Sequence, residues 1–211
     1  HPFCAYSRIT VHVSPCLAHQ KGSTNNNCIS FCSIALSEER EFMKFDLSEE
    51  QAAIWDMSYA FGQDNIAPFT REWEIAGNIP KSLWPKAADL GLGGIYVSEE
   101  NGGSGLSRLD ATLIFEALAM ACPSVSAFLS IHNMCGGMID NFGSQKSKSH
   151  WLPDLCAMNK VFSYCLTEPG SGSDASALQT RARCTNEGYE LTGTKAFISG
   201  GSYSDAYIVM S

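Results

Sequence analysis

The 211 residues carry 14 Lys and Arg against 22 Asp and Glu, a formal net charge of −8, and 45% are hydrophobic. A disordered chain is less apolar, and a nucleic-acid binder usually shows a basic surplus. No stretch approaches the ~20 uninterrupted apolar residues of a membrane span, and the length suits one or two domains of about 100–200 residues each.

The sequence starts at His1 and stops at Ser211, just after the apolar run Asp205-Ala206-Tyr207-Ile208-Val209-Met210. That run reads as a strand with no following turn or neighbour, so a fragment is expected. Residues 1–44 read as a disordered or transit-like leader. Up to Ser37 they hold no acid and only Arg8 and Lys21 as basic residues. Lack of acid fits a transit peptide, but such peptides are usually richer in Arg. The nine Cys are an odd count without repeated spacing. Reduced, buried thiols are expected, and no metal site, because Cys28-x-x-x-Cys32 lacks a second ligand pair.

Folded structure is expected from Phe45. Ser48 with Gln51 three residues on reads as a capping box. Leu47, Ile54, Met57, Ala60, Phe61 and Ile66 follow with roughly helical spacing, until Pro68 ends or disturbs the helix. Pro80 opens a second helix, Lys81 to Leu90, closed by Gly91. A Gly-rich loop, Ser98 to Leu106, leads to Ser107–Asp110, which caps a third helix through Leu113, Phe115, Leu118 and Ala119. Pro123 breaks it. A fourth helix, Val125 to Phe142, is apolar nearly all round and therefore buried. Gly143 ends it, and a short helix reaches Met158. His132 and Asn133 on the fourth helix read first as a satisfied core pair, with a role near the substrate pocket as the alternative that no motif carries. Glu99 and Glu100 read as solvated acids.

From Val161 the texture changes to short strands with Gly-bearing turns: Val161–Leu166, Leu178–Cys184, Gly188–Gly193, Lys195–Ser199 and Ala206–Met210. An antiparallel sheet or barrel is expected. Helices first and strands second mark an α+β chain and exclude alternating β-α units.

Two stretches carry chemistry. In Tyr164-Cys165-Leu166-Thr167-Glu168-Pro169-Gly170-Ser171-Gly172-Ser173-Asp174 a strand runs into a Gly/Ser loop. Such a loop can form a nest of N–H groups for an anion, or be an ordinary solvent loop. Thr167 and Ser173 can donate hydroxyls. In Gly193-Thr194-Lys195-Ala196-Phe197-Ile198-Ser199-Gly200-Gly201, Phe197 and Ser199 lie two apart on an expected strand. They would therefore share a face, one to cover a flat ring and one to bond its edge. A core Phe beside a turn Ser is the plainer alternative.

Together the stretches resemble the acyl-CoA dehydrogenase family, whose hallmark is Tyr-Cys-x-Thr-Glu-Pro-x-x-Gly-Ser-Asp followed by Gly-x-Lys-x-aromatic-Ile-Ser/Thr-x-Gly. The likeness covers about Phe45 to the end and includes Leu90–Gly94 and the Gly102–Leu106 loop. The resemblance implies an N-terminal all-α domain over 45–160 and the start of a middle β-barrel-like domain over 161–211. The C-terminal helical domain, which carries the catalytic Glu, is expected to be absent, so no catalytic residue is assigned. It implies FAD, with Tyr164, Cys165, Leu166, Thr167, Glu168, Pro169, Gly170, Ser171, Gly172 and Ser173 around the cofactor. Phe197, Ile198 and Ser199 complete that set, where many relatives carry Trp for Phe197 and Thr for Ser199. Ser173 would also meet the CoA part of the substrate.

The implied reaction is α,β-dehydrogenation of an acyl-CoA, with an electron-transfer flavoprotein as electron acceptor and a homotetramer as the assembly. Gly105–Asp110, Ser130–Cys135 and Lys195–Ser199 look most like the members that turn isobutyryl-CoA into methacrylyl-CoA in valine breakdown in the mitochondrial matrix. Two rivals stay open: a non-catalytic assembly or binding protein on the same scaffold, and an acyl-CoA oxidase.

Overall fold

The computed structural model describes residues 46–186 and 188–211. The leader, Phe45, and Cys4, Cys16, Cys28 and Cys32 lie outside the described residues.

Helix α1, Glu49–Asn65, starts where the capping box is expected. The Gln51 N–H donates to Ser48 Oγ at 3.1 Å, and the Ser48 N–H to Gln51 Oε1 at 3.2 Å. Phe61 and Ile66 are buried, whereas Leu47 and Ala60 are exposed. Pro68 sits in a 3-10 turn, Ala67–Phe69, that leads into α2, Thr70–Ala76. The sequence pattern does not predict α2. None of its residues is fully buried, and a half-buried Trp73 against the core makes no apolar stripe.

Helix α3 is shorter than expected, Leu83–Ala88, because Pro80 and Lys81 form a preceding turn. Leu83, Trp84 and Ala87 face the core, but Leu90 lies beyond the helix and is exposed. Gly91 then turns at φ 75°. Helix α4, Arg108–Ala121, has its own capping box from Ser107 and Asp110. Helix α5, Pro123–Phe142, begins two residues earlier than expected, since a first-turn Pro loses no helical hydrogen bond. Helix α6 spans Gln145–Cys156. Helix α1 packs on α4, α4 on α5, and α5 on both α6 and the first strand.

The strands are β1, Phe162–Cys165; β2, Arg181–Thr185; β3, Gly188–Thr192; and β4, Ala206–Val209. β2 and β3 form an antiparallel hairpin. β1 and β4 pair in parallel, Phe162 with Ala206 through Cys165 with Val209. This corrects two expectations. The described strands form two separate pairs and not one antiparallel sheet, because the long connection carrying the hairpin returns β4 alongside β1. The final apolar run is also not without a neighbour. A third correction concerns Lys195–Ser199, which forms no strand. Phe197 adopts φ 56°, and a left-handed residue interrupts any extended run.

Two apolar clusters make the core. The larger joins Phe61, Ile66, Trp84, Ile114, Leu118 and Phe128 to Val161. The smaller joins Val97, Cys135, Leu152 and Leu155 to Phe162. The smaller reaches β1 itself, and the larger reaches Val161 just before it. Trp84 stacks near Phe128, centroids 5.2 Å apart, and its indole N–H donates to the Tyr203 hydroxyl. Among the described residues, no helix is long and apolar enough to cross a membrane. The thiols of Cys122, Cys135, Cys156, Cys165 and Cys184 are free, and Cys184 is exposed, contrary to the expectation of burial.

Candidate functional site

Strand β1 owes its position to α5. His132 and Asn133 are fully buried there. The Phe162 N–H donates to His132 Nδ1 at 3.1 Å. That leaves the proton on Nε2, which faces the carbonyls of Gly93 and Leu155, each at 3.1 Å. Burial drives the His132 pKa down to about 4, with the two carbonyls opposing, so the ring is neutral near pH 7. Asn133 Oδ1 accepts from the Ile95 N–H, and its Nδ2 donates to Leu92 O and Leu129 O. Both residues are satisfied core groups, as expected. They staple the loop after α3, the end of α6 and the start of β1 to one helix. Gly93 lets that loop close, since a Cβ there would strike the Cys156 carbonyl.

Tyr164 is half-buried on β1 and Cys165 is buried. Burial pushes the Cys165 thiol up, with the Lys195 charge opposing, so it is a poor nucleophile. Leu166 and Thr167 leave the strand half-buried. Glu168 then turns the chain: its N–H donates to Ser171 O at 2.9 Å, and the Ser171 N–H returns to Glu168 O at 3.1 Å. The Ser171 hydroxyl closes the loop on Asp174 O. Pro169, Gly170, Gly172 and Ser173 are exposed. Neither Gly170 nor Gly172 has a positive φ, so of the two readings the backbone favours the solvent loop over a nest of alternating right- and left-handed residues. The loop is a tight turn with open space beside both glycines. An open groove of about 770 Å³ runs from this turn to Gln179, Thr180, Arg181 and Thr192–Thr194.

The second stretch meets the first through its backbone. The Ala196 N–H donates to Thr167 O at 2.8 Å. The Lys195 ammonium donates to Leu166 O and to Glu168 Oε1, both at 2.9 Å. Phe197 follows, 73% exposed and in a left-handed conformation that costs a non-Gly residue about 1 kcal/mol or more. Ile198 and Ser199 are half-buried, and the Ser163 hydroxyl holds the Ser199 carbonyl. Gly200 is needed at φ 76°, where a Cβ would also crowd the Phe128 ring and the Ser163 and Ser204 hydroxyls. Among the described residues, the Thr167 and Ser199 hydroxyls have no hydrogen-bond partner. So Tyr164–Glu168 and Lys195–Ser199 come together. Ser173 is not tied to the second stretch by any hydrogen bond.

Glu168 is the residue whose surroundings the sequence hid. Its carboxylate also accepts from the Gln179 N–H at 2.7 Å, the Thr180 N–H at 2.9 Å and the Thr180 hydroxyl. The Thr180 hydroxyl first, then Lys195 and the Gln179 amide, hold its pKa at about 2. One signal is present in the sequence: Lys195 is the single charge of its stretch, and the first stretch carries only acids, Glu168 and Asp174.

Residues 48–159 match the family model described as acyl-CoA dehydrogenase, N-terminal domain, and residues 163–211 the one described as acyl-CoA dehydrogenase, middle domain. Isobutyryl-CoA dehydrogenase, mitochondrial, of Dictyostelium discoideum is 51% identical over 164 residues, and that of Bos taurus gives the same figure. Each match covers 78% of this chain, which spans 39% of each relative's length. A glutaryl-CoA dehydrogenase from Mycobacterium smegmatis, solved in complex with FADH2, superposes with a TM-score of 0.73 at 26% identity. That match covers 77% of this chain and 42% of the other. The order of helices and strands, the two joined stretches and these matches agree, and the chain belongs to the acyl-CoA dehydrogenase family.

Proposed function

We propose that these residues form the flavin-facing part of an FAD-dependent dehydrogenase that converts isobutyryl-CoA to methacrylyl-CoA in valine catabolism. The observation that carries the reading is the joining of the Tyr164–Glu168 and Lys195–Ser199 stretches by Ala196 and Lys195. The 51% identity to isobutyryl-CoA dehydrogenases points to the substrate. The same relatives are named mitochondrial, which supports a mitochondrial location, and the matrix is the compartment proposed.

The residues present fit a flat, polar-edged cofactor. Phe197 is an exposed aromatic held in a strained conformation, and strain of this kind persists where a site uses it. The Thr167 and Ser199 hydroxyls have donors to give. Tyr164, Cys165, Leu166 and Thr167 would line the ring, and the Leu166 N–H and Thr167 hydroxyl would bond its pyrimidine side. Phe197 and Ile198 would cover it, and Ser199 would bond near N5. Bound FAD supplies a hydride acceptor for the substrate β-hydrogen. Donors at the pyrimidine edge favour the negative charge that reduction brings there. Pro169, Gly170, Ser171 and Gly172 would shape the loop that presents Ser173 to the CoA part of the substrate. Glu168 acts one step back, through Lys195 and Thr180. An electron-transfer flavoprotein is the proposed electron acceptor and a homotetramer the proposed assembly.

The base that removes the α-proton is, by resemblance, a Glu of the family's C-terminal helical domain, and no residue of these 211 matches it. The 211 residues alone should therefore hold FAD weakly and not oxidise isobutyryl-CoA. The decisive experiment grafts residues 48–211 onto the remainder of the Bos taurus relative. We expect a yellow protein that bleaches with isobutyryl-CoA under anaerobic conditions. A folded graft that binds FAD but ignores isobutyryl-CoA, in favour of a straight-chain substrate, would refute the substrate assignment.

A further inference from the structure

Phe197 needs an anchor on each side to stay left-handed. Downstream, the Ser163 hydroxyl grips the Ser199 carbonyl, and Gly200 continues the turn. Upstream, among the described residues, two ties hold the segment, the Ala196 N–H on Thr167 O and the Lys195 side chain. The Lys195 side chain is 12% exposed and that of Glu168 6%, so the pair is largely shielded from water and fixed in one geometry. Glu168 is itself fastened to the segment just before β2 by Gln179 and Thr180. One ammonium thus spans three pieces of chain: its own stretch, the end of β1, and the segment entering the hairpin. It also sits on the Leu166 carbonyl. An ammonium there polarises the Leu166–Thr167 peptide and strengthens the Thr167 N–H as a donor.

We propose that Lys195 is a positioning residue, which sets the register of the Phe197–Ser199 segment against Leu166–Thr167 through the Leu166 carbonyl and the Glu168 carboxylate. It touches no reacting atom in this scheme. Its action is to fix where the Phe197 ring and Ser199 hydroxyl stand relative to the Thr167 hydroxyl. What that register serves rests on the FAD reading above. The register itself is a property of the chain with nothing bound, so the two can be tested apart.

The test uses the full 211-residue chain as wild type, Lys195→Met, Lys195→Arg and Glu168→Gln. Amide hydrogen exchange without flavin is the first readout. In Lys195→Met the Ala196 amide should exchange at least about tenfold faster, while Leu129 in α5 keeps its rate. Lys195→Arg, which retains the charge and the donors, should stay within about threefold of wild type. An unchanged Ala196 rate in folded Lys195→Met overturns the proposal. If the Leu129 amide shows that Lys195→Met has lost its fold, Glu168→Gln decides. A roughly threefold faster Ala196 then supports the register, and an unchanged rate overturns it. The second readout is quenching of flavin fluorescence on titration with FAD. Lys195→Met should raise Kd about tenfold, and Lys195→Arg should restore most of it. Equal Kd in wild type and Lys195→Met overturns the role toward the cofactor. A wild-type chain with no saturable FAD binding counts against the FAD reading alone, because Ala196 exchange still decides the register.

Discussion

Strand β1 and the β2–β3 hairpin differ by one residue in strand length and are opposite in surroundings. Phe162, Ser163 and Cys165 of β1 are buried, and the fourth residue, Tyr164, is half-buried. Every described residue of β2 and β3 is exposed. The register of the hairpin puts Ala182, Cys184, Tyr189 and Leu191 on one face and Arg181, Arg183 and Glu190 on the other. So the hairpin is amphipathic, yet its apolar face touches no core. β1 is held by a helix and the hairpin chiefly by its own ladder. Rigidity at the candidate site therefore originates in the helical part of the chain. Disturbing the helices should damage the site, and disturbing the hairpin should not.

The sharpest way to break that contrast is to cut the joint between helices and strands. Trp84 is buried, stacks near Phe128 and bonds Tyr203 in the turn before β4. Trp84→Ala should cost about 3–5 kcal/mol, through lost burial and a cavity that cannot collapse. Urea unfolding followed by circular dichroism measures it. A loss below about 1 kcal/mol would show that the strands do not depend on this joint.

Acid tests the second attachment. The folded His132 pKa of about 4 lies below its unfolded value of 6.5. The unfolded state therefore binds a proton that the folded state refuses. The contribution is complete above pH 6.5 and is lost as pH falls from 6.5 towards 4. Its size is on the order of 3 kcal/mol. Protonating Nδ1 also removes the acceptor of the Phe162 N–H, so β1 should loosen with the fold. The wild type should show this loss of stability across pH 6.5 to 4, measured by urea midpoints. His132→Gln, which has no group titrating there, should show a flatter profile. Equal slopes would remove His132 from the account.

The legibility of the sequence follows the same division. Ser48–Gln51 and Ser107–Asp110 announce helix starts by side-chain chemistry that acts within one turn. Both capping boxes stand where they are expected. Helix α2 is silent because it offers the core a half-buried Trp73 and no apolar stripe. The parallel partner of β1 lies more than forty residues away, and no local pattern encodes it. In the site, the motif spacing locates both stretches, but alternation misreads Phe197. The Ala196 and Lys195 ties set that backbone, and their partners are in the other stretch. The Glu168 ligands at Gln179 and Thr180 are hidden for the same reason: each is a contact across a turn.

A cap offers a smaller perturbation of the rigid side. Ser107→Ala removes the acceptor of the Asp110 N–H, and the hydroxyl bond to the Asp110 carboxylate, at the start of α4. We expect a loss of about 1 kcal/mol. It should appear in urea midpoints with FAD affinity unchanged, since among the described residues no hydrogen bond joins α4 to the candidate site residues. An FAD affinity that falls with this variant would mean that helix stability as a whole, and not the α5–β1 contact, governs the site.

The smallest expected effect on stability is in the hairpin. Leu191→Lys places a charge on the exposed apolar face beside Ala182 and Tyr189, where no core neighbour is lost. Its cost should stay within about 0.5 kcal/mol, as for surface positions generally. Its effect on association should be larger. An exposed strand with an apolar face is a template for pairing with another chain, and a Lys on it disfavours that pairing. Light scattering at rising concentration should show less aggregation for Leu191→Lys than for wild type, with equal urea midpoints. A clear drop in the midpoint would show instead that the hairpin face is packed in solution, and the contrast with β1 would then narrow to a difference of degree.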